Sequence, residues 1–398
     1  MPNTHLKGGD IMATIRKRGN TYQIRVSCGY DVNGKHKEQA MTWCPEPGMT
    51  KRQIEKELQR QAMLFEDQCM NGFKTSAIKF EAFADEWFEN YAIQNLRHTT
   101  YERMKKLRQR TYDAIGHLRI DKITPRDIQS FINSLTKPGV NCRTGGGLAQ
   151  KTIKHYLSFI SSVFSYAERM ELVERNPCEK VLLPKNDTAE KKIYSQEEMQ
   201  RLLGLMKEEP IKYKAFFYLL AYTGMRRGEM LGLEWKDIDF ENEIISIRRT
   251  SNYTTEFGVY TDTTKTKKSQ RTLKIAHQIT EILKELMAEQ KREKARLGSK
   301  WNKTDRLFTT WDGHEMNPQT PYHFLKKFCE KHDLPFYGIH SFRHYAASSM
   351  IAAGIDVTTV SATLGHCNST QTLNTYSHMF QDAQARVTAA MDKAFGFI

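Results

Sequence analysis

A small set of residues has types and spacing that could do chemistry. His340 and Arg343 stand one helical turn apart, His366 follows Leu364-Gly365, and Tyr376 comes shortly after. Far upstream, Arg226 lies in Thr223-Gly224-Met225-Arg226-Arg227-Gly228-Glu229. Two arginines, two histidines and a tyrosine are what phosphodiester cleavage needs when the nucleophile is a phenol and no metal takes part. Such cleavage calls for a nucleophile, an acid for the leaving oxygen, cations for the developing charge, and in-line positioning. Tyr376 is the candidate nucleophile. A free phenol has a pKa of about 10, so it is mostly protonated at neutral pH and needs help to attack. Arg226 and Arg343 can give it, because each planar fork binds two phosphate oxygens where a lysine offers a point charge. Their larger effect comes as charge accumulates in the transition state, so it falls on rate more than on ground-state binding. His340 can act as a base or hydrogen-bond partner near the phenol, and His366 can donate to a non-bridging phosphate oxygen. Lys265, in Thr264-Lys265-Thr266, is the candidate acid for the leaving alkoxide, with Lys267 and Lys268 crowding the same segment.

The bulk properties agree with that chemistry. The chain has 398 residues and a formal net charge of +14, which favours a polyanionic partner and a division into two or three domains. Charge alone does not separate DNA from RNA or acidic membranes; the cleavage residues point to DNA. No apolar run is long enough to span a bilayer and no signal-peptide core is evident, so a cytoplasmic protein is expected. The seven cysteines are dispersed and contain no C-x-x-C pair, which predicts reduced thiols and neither zinc nor a disulfide framework. His340 and His344 have the spacing H-x-x-x-H, but the acidic residue of a zinc-binding H-E-x-x-H is absent and Arg343 would repel a cation.

The elements that must position these residues are mainly helical with small β pieces. Residues 1–12 carry no pattern and are expected to fray. From Ala13 the spacing predicts three strands: runs around Thr14–Arg18 and Tyr22–Val26 flank Gly19-Asn20, and a turn at Asn33-Gly34 leads to a strand ending near Cys44. Thr50 and Gln53 form a capping box that opens a helix to about Cys69. This sheet interleaves Arg16, Lys17, Arg18 and Arg25 with Tyr22, a composition suited to entering a major groove and equally found on a solvated face.

From Phe80 to about Leu183 the chain reads as helical. Phe83, Trp87 and Tyr91 share one face, Thr124-Pro125 opens a helix, and Ala149–Met170 forms another with Lys151 and Lys154 near its start as candidate DNA contacts. The glycines ending Pro138–Gly147 read as a flexible loop. Residues 184–192 are polar and aperiodic, a linker, and Ser195 with Glu198 caps the first helix of the next domain, 193–398. That domain reads as mostly helical with a β segment from about Ile238 to Leu273. The charged stretch Ile279–Leu297 reads as a solvated helix.

The motifs T-G-M-R-R-G-E (223–229), K-T-K-K-S-Q-R (265–271), H-S-F-R-H (340–344), L-G-H (364–366) and T-L-N-T-Y-S-H (372–378) together resemble those of tyrosine recombinases of the integrase type, especially those of phages and conjugative transposons. The resemblance implies that Arg226, Lys265, His340, Arg343, His366 and Tyr376 form the active site and that Glu229 supports Arg226. The proline usual after the last arginine of the lysine motif is missing. Thr272-Leu273-Lys274-Ile275 stands there instead. The resemblance also implies three parts: an arm-site DNA-binding sheet at 13–72, a helical core-binding domain at 75–183, and a mixed α/β catalytic domain at 193–398. It implies a site-specific integrase working on double-stranded DNA as a homotetramer on two duplexes, through a 3′-phosphotyrosyl link and a Holliday junction. No cofactor is expected, since one ester replaces another. An excisionase and a host DNA-bending protein are compatible as accessory partners. The apolar end Phe395, Phe397 and Ile398, after a helix from about Asp382, is expected to dock on a neighbouring protomer. A resolvase using the same chemistry is disfavoured by the N-terminal module, and a DNA-binding regulator with a degenerate domain by the intact residue set.

Overall fold

A computed structural model describes residues 13–30, 34–70, 78–185, 192–263, 270–366, 370, 373, 388 and 391–396. Lys265, Lys267, Lys268, Tyr376, Phe397 and Ile398 lie outside the described residues, as do the first twelve residues, Asn33 and most of the linker. The chain divides into two compact units between residues 187 and 188.

The first unit opens with an antiparallel sheet of β1 (Thr14–Arg18), β2 (Thr21–Tyr30) and β3 (His36–Trp43), in that order. Gly19 takes the left-handed φ of +61° that the turn between β1 and β2 needs. Because side chains alternate across a strand, the register sorts the basic residues by face. Ile15, Ile24 and Met41 line up, as do Lys17, Tyr22 and Trp43. Arg16 lines up with Gln23 and Thr42, and Thr14 with Arg25 and Ala40. The helix α1 (Lys51–Met70) covers the first of these faces, packing Leu58, Ala62 and Phe65 on Ile24 and Val26. Its capping box is formed: the Thr50 N–H donates to Gln53 Oε1 at 2.8 Å and the Gln53 N–H to Thr50 Oγ1 at 3.4 Å.

The rest of this unit is helical. α2 (Phe80–Trp87) runs through a π-helical turn, Phe88–Ala92, into α3 (Ile93–Asn95), followed by α4 (His98–Thr111), α5 (Pro125–Ser134) and α6 (Gln150–Arg169). Phe80, Phe83, Trp87, Phe159 and Phe164 fill its core. The loop at 138–147 is not simply flexible. The Gly139 N–H donates to the Gly145 carbonyl at 2.8 Å, the Asn141 N–H to that of Gly146 at 2.9 Å, and the Leu148 N–H to that of Leu135 at 2.9 Å. Gly147 is required there, since a Cβ would lie 2.2 Å from the Thr136 carbonyl oxygen.

The second unit contains α7 (Gln196–Met206), α8 (Ile211–Thr223) and α9 (Arg227–Leu231), then β4 (Ile238–Asp239), β5 (Ile244–Ile247), β6 (Arg249–Thr254), β7 (Gly258–Thr263) and β8 (Arg271–Lys274). It continues with α10 (His277–Leu297), α11 (Thr320–Lys331), α12 (His340–Ala352) and α13 (Val357–Leu364). β4, β5 and β8 form one antiparallel sheet, and β6 with β7 a separate hairpin. α8 is apolar nearly all round, as a central helix must be, and buries Phe216, Phe217, Leu219 and Leu220 against Phe308, Leu325 and Phe342. The charged helix α10 differs from its sequence reading as a solvated element. Ile279, Leu283 and Leu286 are buried, and Gln290 bonds the Leu307 carbonyl at 2.7 Å and the Trp235 indole at 2.8 Å. Its apolar stripe is narrow, and the dense charge on its other face hid it.

Candidate active site

The motif 223–229 is a helix stop followed by a helix start. α8 ends at Thr223, Gly224 turns the chain at a left-handed φ of +61°, and Arg226 is extended (φ −71°, ψ 145°) as the cap of α9. Only glycine fits at 224. A Cβ there would lie 2.7 Å from Leu364 Cδ2 and 3.0 Å from Ala346 Cβ, because α12 and α13 close over the turn. Arg343, buried on α12, donates from Nη1 to the Gly224 carbonyl at 2.9 Å. One arginine thus belongs to the turn and the other is bonded to it, although 116 residues lie between them in sequence.

Glu229 is the hub. It is 3% exposed, and its Oε1 accepts from Arg226 Nη1 at 2.8 Å while its Oε2 accepts the Arg226 N–H at 3.1 Å. The same Oε2 accepts from Arg271 Nη2 at 3.0 Å. Both arginines then reach the end of α13: Arg226 Nη2 donates to the Gly365 carbonyl at 3.0 Å and Arg271 Nε to that of Thr363 at 2.6 Å. The last carbonyls of a helix lack partners within it and carry partial negative charge, so two guanidiniums complete this terminus. Gly365 is left-handed at φ +68°, and a Cβ on it would lie 2.6 Å from Arg271 Nη1. The turn that presents His366 is therefore clamped from two sides. At the other end of α13, the Asp356 carboxylate accepts the Thr358 and Thr359 N–H groups at 2.9 and 3.0 Å.

Electrostatics follow from this packing. Burial pushes the Glu229 carboxyl up, but the charges and hydrogen bonds of Arg271 and Arg226 outweigh it and hold the group below its ordinary value. His366 is pulled down to about 4, first by burial and then by Arg343, Arg226, Arg271 and His340. Its imidazole is accordingly neutral at pH 7. A group whose folded pKa lies below its ordinary 6.5 resists protonation in the fold, so this contribution to stability is full above pH 6.5 and is lost as pH falls toward 4. An NMR titration of the free protein should show the His366 ring changing state near pH 4, and His366→Gln should flatten the acid limb of the stability curve. A ring titrating at 6.5 would contradict this packing.

His340 is the first residue of α12, exposed, with its ring edge-to-face with that of His344 at a centroid distance of 4.9 Å. The structure thus brings Arg226, Glu229, Arg343 and His366 together, Arg226 bonded to Glu229 and to the Gly365 carbonyl and Arg343 to the Gly224 carbonyl, with His340 on the turn that carries Arg343. Arg271 is the participant that sequence reasoning missed. It closes the motif 265–271, yet nothing in the spacing distinguishes it from an ordinary strand arginine. A second buried network supports α9 from below. Arg249 bonds Glu234 at 3.1 Å and also Asp237, and Arg306, 3% exposed, bonds the Gly232 carbonyl.

Away from this group, Arg16, Arg18 and Arg25 share the open face of the N-terminal sheet. Lys17 and Tyr22 share the face that α1 covers, with Lys17 Nζ 5.8 Å from the Tyr22 ring centre. Lys151 and Lys154 are exposed at the start of α6. Close behind them on the helix is His155, whose pKa is lowered by burial and then by Arg103 of α4, Lys151 and Lys154.

Residues 192–382 match the phage integrase family, and residues 79–136 match its N-terminal SAM-like domain. The chain belongs to the phage integrase family. It is thus a tyrosine recombinase, an enzyme that cuts and rejoins DNA. It is 26% identical to a XerC-like tyrosine recombinase of Caldanaerobacter subterraneus subsp. tengcongensis, over 94% of this chain and 96% of that protein. In fold it is similar to the integrase of transposon Tn1549 in complex with a circular intermediate DNA: the TM-score is 0.64 at 21% identity, covering 79% of this chain and 99% of that one. It is also similar to lambda integrase, solved as a tetramer bound to a Holliday junction, with a TM-score of 0.53 at 15% identity over 92% and 96% of the two chains. No helix among the described residues is long and apolar enough to cross a membrane.

Proposed function

We propose that this recombinase integrates and excises a mobile element, with Tyr376 as its nucleophile. The Tyr376 oxygen attacks the scissile phosphorus as its phenolic proton passes to His340, the bond from phosphorus to the 5′ oxygen breaks, and that oxygen takes a proton from Lys265. The products are a 3′-phosphotyrosyl ester and a free 5′-hydroxyl. After exchange between duplexes, the hydroxyl attacks the ester, the phenol leaves, and the strand is resealed. Arg226 and Arg343 hold the non-bridging oxygens, His366 donates to one of them, and His340 assists the phenol. The observation that carries this assignment is the Glu229 hub, which ties Arg226 to the His366 turn while Arg343 bonds the Gly224 turn.

The parts divide the DNA between them. The sheet within 13–72 takes arm sites, with Arg16, Arg18 and Arg25 on its open face. The helices of 75–183, with Lys151 and Lys154, clamp the crossover site together with the catalytic domain, 193–398. The working assembly is a homotetramer on two duplexes. The Holliday-junction complex of lambda integrase, similar in fold, supports that reading.

The test is strand exchange between two duplexes bearing the element's joined ends and its target, in EDTA and without ATP. Recombinant strands, with a four-way junction as intermediate, are expected. Specific binding with no exchanged strands would favour a DNA-binding regulator instead.

A further inference from the structure

Two cations that no recombinase motif assigns to the site flank His340. On one side, Arg227 lines a depression together with His340, Arg343 and Tyr322. On the other, Lys192 lines a second depression with His340, Ser341 and His344. Tyr337 and His340 line both, so the two depressions meet at the start of α12.

The Arg227 guanidinium is half-buried, its bond to Gln319 Oε1 is long at 3.5 Å, and burial holds its pKa below the ordinary value. A cation that has lost part of its hydration gains from an anion brought to it. Lys192 is exposed. The carboxylate that faces Tyr337, Glu198, is committed elsewhere. Its Oε2 accepts the Ser195 N–H at 2.8 Å in the cap of α7, and its Oε1 accepts the Tyr337 hydroxyl at 3.5 Å.

We propose that Arg227 and Lys192 bind the DNA backbone phosphates on either side of the scissile one, so that the cleaved strand crosses His340 from one depression to the other. This rests on the recombinase reading above and adds to it the path of the strand. It assigns Arg227 a role separate from that of its neighbour Arg226, which faces Glu229 and Gly365.

The test uses full-length protein carrying Tyr376→Phe, so that no covalent step disturbs the binding equilibrium. Affinity for a fluorescent crossover duplex is measured across a series of KCl concentrations. Each phosphate contact contributes about 0.9 to the slope of log K against log salt. Arg227→Gln and Lys192→Gln should each reduce that slope by about 0.9, and the pair by about 1.8. A methylphosphonate at the phosphate next to the scissile one should make the matching substitution nearly silent. An unchanged slope in the double variant, with an unchanged melting temperature, overturns the proposal. So does a loss that is the same wherever the neutral phosphate is placed. Lys192 is at an exposed position, so Lys192→Gln carries the test alone if Arg227→Gln melts early. Failure of the wild type to form a covalent product would count against the recombinase reading; the binding slopes report on the strand path separately.

Discussion

Glu229→Ala is expected to lower the stability of the second unit by about 3–5 kcal/mol and to abolish cleavage even below its melting temperature. Removing one partner of a buried ion pair leaves the other charge uncompensated. The two arginines do not suffer equally. The Arg226 side chain is 38% exposed and can turn to water, whereas that of Arg271 is 8% exposed and cannot. Most of the loss therefore comes from Arg271. Urea denaturation should find Glu229→Gln between wild type and Glu229→Ala, because the amide keeps an acceptor oxygen and loses the charge. The pH dependence has a definite sign. The Glu229 carboxyl is held below its ordinary 4.5, so its stabilisation is present above that value and is lost as pH falls through the folded value. The gap between wild type and Glu229→Gln should be full at pH 7 and narrow in acid. A gap that widened in acid would mean that the fold raises the carboxyl's pKa instead of lowering it.

Arg226→Lys is expected to slow cleavage of bound DNA by about 10²–10³-fold while changing DNA affinity little. Arg226 uses one face of its fork on Glu229 and the Gly365 carbonyl, and a guanidinium carries five N–H donors, so several remain for phosphate oxygens. A lysine ammonium cannot hold the Gly365 carbonyl and grip two phosphate oxygens together. The substitution thus loses transition-state contacts and loosens the His366 turn at once. Single-turnover cleavage on a pre-bound site separates this from a binding defect. A rate within tenfold of wild type would show that Arg226 is a structural member of the hub and leaves the phosphate to Arg343.

What the sequence made legible was the local signals. Thr50 and Ser195 cap helices where their partners three residues on predicted it, Thr124 caps the helix that Pro125 opens, and His340 and Arg343 stand on one helix at the one-turn spacing read for them. Residues whose roles depend on distant partners were not legible. Arg271 is a strand arginine until Glu229 and the Thr363 carbonyl arrive beside it. The glycines near residue 145 read as flexibility because sequence carries no trace of the Thr136 carbonyl that requires Gly147. Lys17 and Tyr22 looked like members of one groove-reading surface with Arg16 and Arg18. Strand alternation and the choice of face made by α1 separate them.

The most direct test of the account is a nicked suicide duplex carrying the element's end, incubated in EDTA with wild type and with Tyr376→Phe. A covalent protein–DNA band from wild type alone is the predicted result, and peptide mapping should place the adduct on Tyr376. A band from both proteins would put the nucleophile on another residue, and no band from a protein that binds the verified site would contradict the cleavage chemistry itself.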